Sequence, residues 1–173
     1  MTARTRLQQG LRALFSWSQP VDLALAEAVL SPAQLALFRR LRRSEQLHSL
    51  NVLRAVQAAG ESDPDLLVAA LLHDVGKTIA PFWLPERVLV VLVGRLAPGL
   101  LTRLGGEAEP HGWRRPFAIS VRHPEWSARL LAEAGSSARA IELARRHQEA
   151  IPDPPRTEIE RLLLALQRAD DRN

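Results

Sequence analysis

One stretch constrains this chain more than any other: Asp65 to Gly76, DLLVAALLHDVG. As a helix it is apolar nearly all round, so it has no face to give to solvent and must lie at the centre of what forms around it. Asp63-Pro64-Asp65 before it is a helix-start signal, with Pro at the first helical position and acids where the helix dipole favours them. Gly76 reads as its end. This most hydrophobic segment nonetheless closes on His73-Asp74. Burying an imidazole and a carboxylate there is costly without a compensating charge. A bound divalent cation supplies one.

The remaining sequence reads as helices to surround that centre. Residues 4–17 place Leu7, Leu11, Leu14 and Phe15 on one helical face. A helix is expected over 21–30. Ser31-Pro32 opens a long pattern that Gly60 closes, with a break near Ser44. Residues 81–104 read as helical pieces joined at Pro98-Gly99, and 105–116 as a loop. His123-Pro124-Glu125 predicts a helix start, with Gly135 as its stop. Ser136 or Ser137 caps the next helix, through His147. Thr157 and Glu160 form a capping box for a last helix reaching Asp170. No alternating strand run appears, so the expected fold is all-α: a single-domain helical bundle of about seven or more helices. Residues 1–43 are expected to be a basic helical extension packed on a core domain of 44–173.

Composition narrows the chemistry. The chain has no Cys, which excludes disulfides, thiolate-held zinc, iron–sulfur clusters and thiol catalysis. Its cations are 22 Arg and a single Lys, Lys77. Residues 1–43 carry seven Arg and two acids, a net of +5, whereas 44–173 net −1. Such a cluster suits an anionic surface, a nucleic acid or plain solvent exposure. No run approaches the roughly 20 apolar residues of a membrane span. The N-terminus lacks the apolar core of a secretory signal, so a cytoplasmic location is expected.

Five histidines occur, at 48, 73, 111, 123 and 147. The separations 48 to 73, 123 to 147 and 147 to Asp170 are 25, 24 and 23 residues. Each is about one helix, a turn and a return, which brings successive helices to one end of a bundle. Bundle cores build metal sites this way, from side chains of facing helices. The series His48, His73-Asp74, His123, His147, Asp170 resembles the HD superfamily of metal-dependent phosphohydrolases. LLHDVGK resembles its defining motif, HPEWSARLL its His-Pro-Glu helix, and LLALQRADD its closing Ala-Asp segment. The likeness covers roughly residues 44–171.

The resemblance implies His48, His73, Asp74 and Asp170 as core metal ligands. It implies His123 and His147 as completing a second position, with Asp74 bridging. Asp171 is the alternative to Asp170. Lys77 matches the Lys of a His-Asp-x-x-Lys pattern that faces substrate phosphate, and Arg122 or Arg146 is a further phosphate-binding candidate. His111 matches nothing and is expected to be exposed or structural. Imidazole and carboxylate donors suit one or two ions of manganese, iron, magnesium or zinc, which activate water and clamp a phosphoryl group. The implied activity is hydrolysis of a phosphomonoester or phosphodiester of a nucleotide or other small phosphorylated substrate, with Asp74 and Lys77 catalytic. Cyclic-dinucleotide phosphodiesterases of the superfamily carry a Gly-Tyr-Pro triplet; this chain has no Tyr. Diadenosine tetraphosphate hydrolases share its ligand order. A non-catalytic module that binds a phosphorylated ligand or partner is the alternative, and a nucleic-acid or membrane binder a third reading. The insertion between Asp74 and His123 is left with four roles: core packing, a cover for the site, a dimer face or a lipid contact.

Overall fold

Most of the helices begin where a side chain takes up an N–H group of the first turn. The computed structural model describes residues 20–106, 109 and 111–173; the pattern over 4–17 lies outside them. Helix α1 (Leu23–Glu27) opens on Asp22, which accepts the Leu25 N–H at 3.1 Å. Helix α2 (Pro32–Arg40) opens on a reciprocal box of Ser31 and Gln34. The long pattern expected from Pro32 divides into two helices, with the break at Leu41-Arg42, just before Ser44. Leu41 turns extended and buries its side chain in the core. Glu45 then accepts the Arg42 N–H at 3.0 Å and starts helix α3 (Arg43–Ala58). Helix α4 (Pro64–Leu72) begins at Asp63, which accepts two N–H groups. Gly76 does not end it. The α-helix stops at Leu72, and Gly76 lies inside a 3-10 turn, Val75–Ile79.

Helices α5 (Leu84–Leu96) and α6 (Pro98–Gly105) form a hairpin. The Arg114 guanidinium donates to the Arg103 and Leu104 carbonyls at the C-terminal end of α6. Helix α7 (Arg115–Glu133) corrects a second expectation: His123-Pro124-Glu125 sits in its middle, not at its start. Pro124 has no N–H for the Ser120 carbonyl, a defect that ordinarily breaks a helix. Here the ring Nδ1 of His123 lies 3.0 Å from that carbonyl and 2.9 Å from the one of Ile119, so the imidazole fills the gap. Helix α8 (Ala138–Arg146) is capped by Ser137, and α9 (Glu158–Asp170) by the Thr157–Glu160 box. Among the described residues there is no strand, and the architecture is all-α.

Packing follows from α4. Its Leu66, Ala69, Ala70, Leu71 and Leu72 are wholly buried. Around them lie Leu50 and Leu53 of α3, Leu131 of α7, Leu143 of α8 and Leu162, Leu163 and Leu166 of α9. Ala26, Leu30, Phe38 and Leu41 from residues 20–43 join the same cluster. A smaller cluster of Phe82, Val90, Phe117, Ile119 and Trp126 fixes α5 to α7. Burial of both kinds is worth roughly 25 cal/mol per Å² of apolar area, and it fixes the ends of α3, α4, α7, α8 and α9 relative to one another.

Candidate metal centre

Those helices converge on one cluster. His48 comes from α3, His73 and Asp74 from the end of α4, His123 from α7, His147 from the end of α8 and Asp170 from the end of α9. His73, Asp74, His123 and His147 are all buried. Three backbone anchors orient the rings. The Nδ1 of His73 meets the Ala69 carbonyl at 3.2 Å, that of His147 the Ala144 carbonyl at 2.8 Å, and that of His123 the Ile119 and Ser120 carbonyls. A carbonyl accepts only from an N–H, so each neutral ring carries its proton on Nδ1 and turns the lone pair of Nε2 inward.

Those lone pairs crowd together, and the Gln148 amide reaches the one on His123 at 3.4 Å. His73 Nε2 is buried with no hydrogen-bond partner. His123 Nε2 and His147 Nε2 face each other at 3.3 Å. Asp74 sits between the groups: Oδ1 is 3.2 Å from His123 Nε2 and 3.8 Å from His147 Nε2, while Oδ2 is 3.7 Å from His73 Nε2. Asp170 Oδ1 is 2.8 Å from His48 Nε2 and 3.7 Å from His73 Nε2. Two donor sets share Asp74, namely His48-His73-Asp74 and Asp74-His123-His147, and each is close enough to hold one cation. A set of imidazoles and carboxylates without thiolate suits hard or borderline divalent ions. The buried Nε2 of His73, which has no donor, is what such an ion satisfies.

Titration behaviour follows the same division. Burial opposes ionisation of Asp74, but Lys77, His73 and His123 together hold its carboxyl well below the usual range. Burial, then repulsion from His73 and His123, lowers His147 to about 3. Burial also lowers His123. His48 goes the other way: burial lowers it, but the bond and charge of Asp170 raise it on balance. The bond to His48 keeps Asp170 low against its own desolvation.

The turn bearing Asp74 is pressed onto α7. A Cβ on Gly76 would lie 2.2 Å from the His123 carbonyl oxygen and 2.7 Å from the Ser127 nitrogen. The Gly76 N–H donates to Ser127 Oγ at 2.8 Å. Only glycine permits this approach, which sets the distance from Asp74 to His123. Sequence reasoning passed over Ser127, although its i+4 spacing from His123 puts both on one helix face.

The other singled-out residues fall as follows. Lys77 Nζ pairs with Asp74 Oδ2 at 2.5 Å. Arg122 stacks over the Trp126 ring, 5.4 Å from its centroid. Arg146 pairs with Glu149 at 2.7 Å and Glu142 at 3.4 Å. Asp171 is exposed at the C-terminal cap of α9, and His111 is exposed in the segment before α7. Two cavities flank the cluster. One, about 230 Å³, is lined by Lys77, Arg87, Val90, Val91, Ser120 and His123 among others. The second, about 330 Å³, is lined by His147, Glu149, Gln167, Asp170 and Asp171. Gln148 borders both and reaches His123 Nε2 at 3.4 Å. Nothing in the local sequence marked Gln148, or the pairing of Arg87 with buried Glu45 across the fold.

Residues 47–172, well over half of the chain, match the family model described as the HD domain. No curated protein and no solved structure matches the chain.

Proposed function

The chain belongs to the HD domain family, the metal-dependent phosphohydrolase superfamily, and on that premise we propose that it hydrolyses a phosphate ester of a nucleotide or another small phosphorylated substrate. The observation that carries this reading is the convergence of the Nε2 atoms of His73, His123 and His147 on one ionised carboxylate, with that of His73 buried and without a hydrogen-bond partner. His48, His73, Asp74 and Asp170 would hold one divalent ion, and Asp74, His123 and His147 a second. Manganese, iron, magnesium or zinc bound there supplies Lewis acidity toward a phosphoryl oxygen and a water acidic enough to lose its proton near neutral pH.

The chain's own groups do the rest. The backbone carbonyls of Ala69, Ser120 and Ala144 hold the Nδ1 protons and so keep each ring's lone pair aimed inward. Asp74 stays ionised and is shared by both donor sets. Lys77 carries its ammonium between Asp74 and the cavity beside His123. A substrate phosphate entering that cavity takes the ammonium as a compact point charge, which a guanidinium does not reproduce. Arg122 and Arg146 remain candidates for a second phosphate. The test is a panel of nucleotides and simple phosphate esters assayed with each metal. Hydrolysis by the wild type and none by Asp74→Ala is expected. Turnover unchanged in Asp74→Ala overturns the assignment.

A further inference from the structure

Helix α5 is mounted inside out. Its two charged residues at the N-terminal end turn inward: Arg87 pairs with buried Glu45, and Glu86 with Arg115. Most of its aliphatic residues turn outward, Val90 and Val93 excepted. Leu84, Val88, Leu92 and Leu96, four apart and so on one ridge, are 74%, 52%, 50% and 83% exposed. Val91 of α5 and Leu100 of α6 extend the same kind of surface, at 58% and 45%. Val90 is the one buried residue of α5. A helix that served the core alone would show the reverse pattern, and an exposed apolar surface this extended marks an interaction site.

Charge on the hairpin selects the occupant. From Arg87 to Gly106 the sequence has three arginines and no acid. Two of them, Arg95 and Arg103, are exposed. A second copy of this chain is a poor fit, because a twofold contact sets the same patch against itself and brings these arginines together, while the hairpin acid Glu86 is already held by Arg115. An anionic lipid surface answers both features: acyl chains take the leucines and headgroups take the arginines. Trp83, 57% exposed at the start of α5, has the ring type favoured at that boundary. The 13 residues of α5 span about 20 Å, and no described helix is long and apolar enough to cross a membrane. The geometry is that of a helix lying in the interface plane.

We infer that the α5–α6 hairpin is a docking surface for an anionic membrane. Val91 belongs both to the outward face and to the lining of the cavity beside Lys77 and His123. Docking therefore sets the mouth of the His-Asp cluster at the lipid surface. The inference does not depend on the cluster being catalytic.

The test is flotation of the full chain with vesicles of phosphatidylcholine alone or of phosphatidylcholine with phosphatidylglycerol. Binding to the anionic vesicles is expected to be about thirtyfold tighter, since each arginine near such a surface contributes about fivefold. Leu92→Asp should abolish binding, and Arg95→Glu with Arg103→Glu should erase the anionic preference. Leu96→Ser is the milder variant and should weaken binding with an unchanged thermal melt, because Leu96 is 83% exposed. Absence of binding, equal binding to both vesicles, or binding that survives the leucine variants overturns the proposal. So does a concentration-dependent dimer that Leu92→Asp dissolves, which would assign the face to a second copy.

Discussion

On one side of Asp74, His48 and Asp170 meet at 2.8 Å with side chains 29% and 38% exposed; on the other, His123 and His147 face each other at 3.3 Å, almost sealed from solvent. The first pair balances its own charge. His48 holds a proton more firmly than a free imidazole, and Asp170 loses one more readily. The second pair has no acid of its own. Burial keeps both rings neutral, aided by Lys77 at His123 and by His73 and His123 at His147, and the Nε2 atoms converge on Asp74. The buried half therefore calls for a cation more strongly than the exposed half. A proton stands in for it on the His48 side. Nothing in the buried half does so except the Lys77 ammonium paired with Asp74.

The contrast can be broken at its hinge. Gly76→Ala drives a Cβ into the backbone of α7. The turn must lift, at a cost of about 3 kcal/mol, and metal affinity should fall in both halves together. Urea unfolding with metal titration checks this; a variant of wild-type stability removes Gly76 from the account. Single ring deletions sharpen the contrast. His123→Ala strips the Ser120 carbonyl of its partner and should destabilise the metal-free chain by about 2 kcal/mol. His48→Ala breaks a partly exposed pair worth less than about 1 kcal/mol. Each should lower metal stoichiometry by one equivalent, and equal stability losses contradict the division.

Lys77→Arg should slow turnover about tenfold, the loss of roughly one charge-assisted hydrogen bond, with metal content unchanged by elemental analysis. The smallest effect is the proton inventory of the metal-free chain, read ring by ring by NMR. His48 should titrate above 6.5, and His147 should stay neutral down to about pH 3. The linkage signs are opposite. The raised His48 contributes stability below 6.5 that is lost as pH rises through its folded value. The lowered His147 withdraws stability as pH falls from 6.5 toward 3. Both rings titrating together would erase the distinction.

Much of this was legible in the sequence, and the exceptions have physical causes. Ser31, Asp63, Ser137 and Thr157 cap the helices their spacing predicts, because capping is a contact within four residues. The all-round apolar pattern of α4 places it at the centre for the same local reason. The break after Arg40 falls just before Ser44 because burial of Leu41, a tertiary contact, decides where the chain turns. His123-Pro124 reads as a start because Pro inside a helix is costly, and only the structure shows the imidazole taking the released carbonyl. Gly76 reads as a stop, whereas its lack of a side chain serves the contact with α7. The helix-and-return spacing brings His73, His147 and Asp170 to helix ends, whereas His48 and His123 reach the cluster from within α3 and α7. The inward turn of Glu86 and Arg87 had no local signal, as their partners Arg115 and Glu45 lie far along the chain.

The central claim is that the lone pairs around Asp74 exist to be filled by a cation. Elemental analysis of protein purified without chelator, beside Asp74→Ala prepared identically, tests it most directly. One to two divalent transition-metal ions per wild-type chain and a loss of that metal in the variant is the predicted result. Wild-type protein that is metal-free and cannot be reloaded with manganese, iron or zinc would contradict the account.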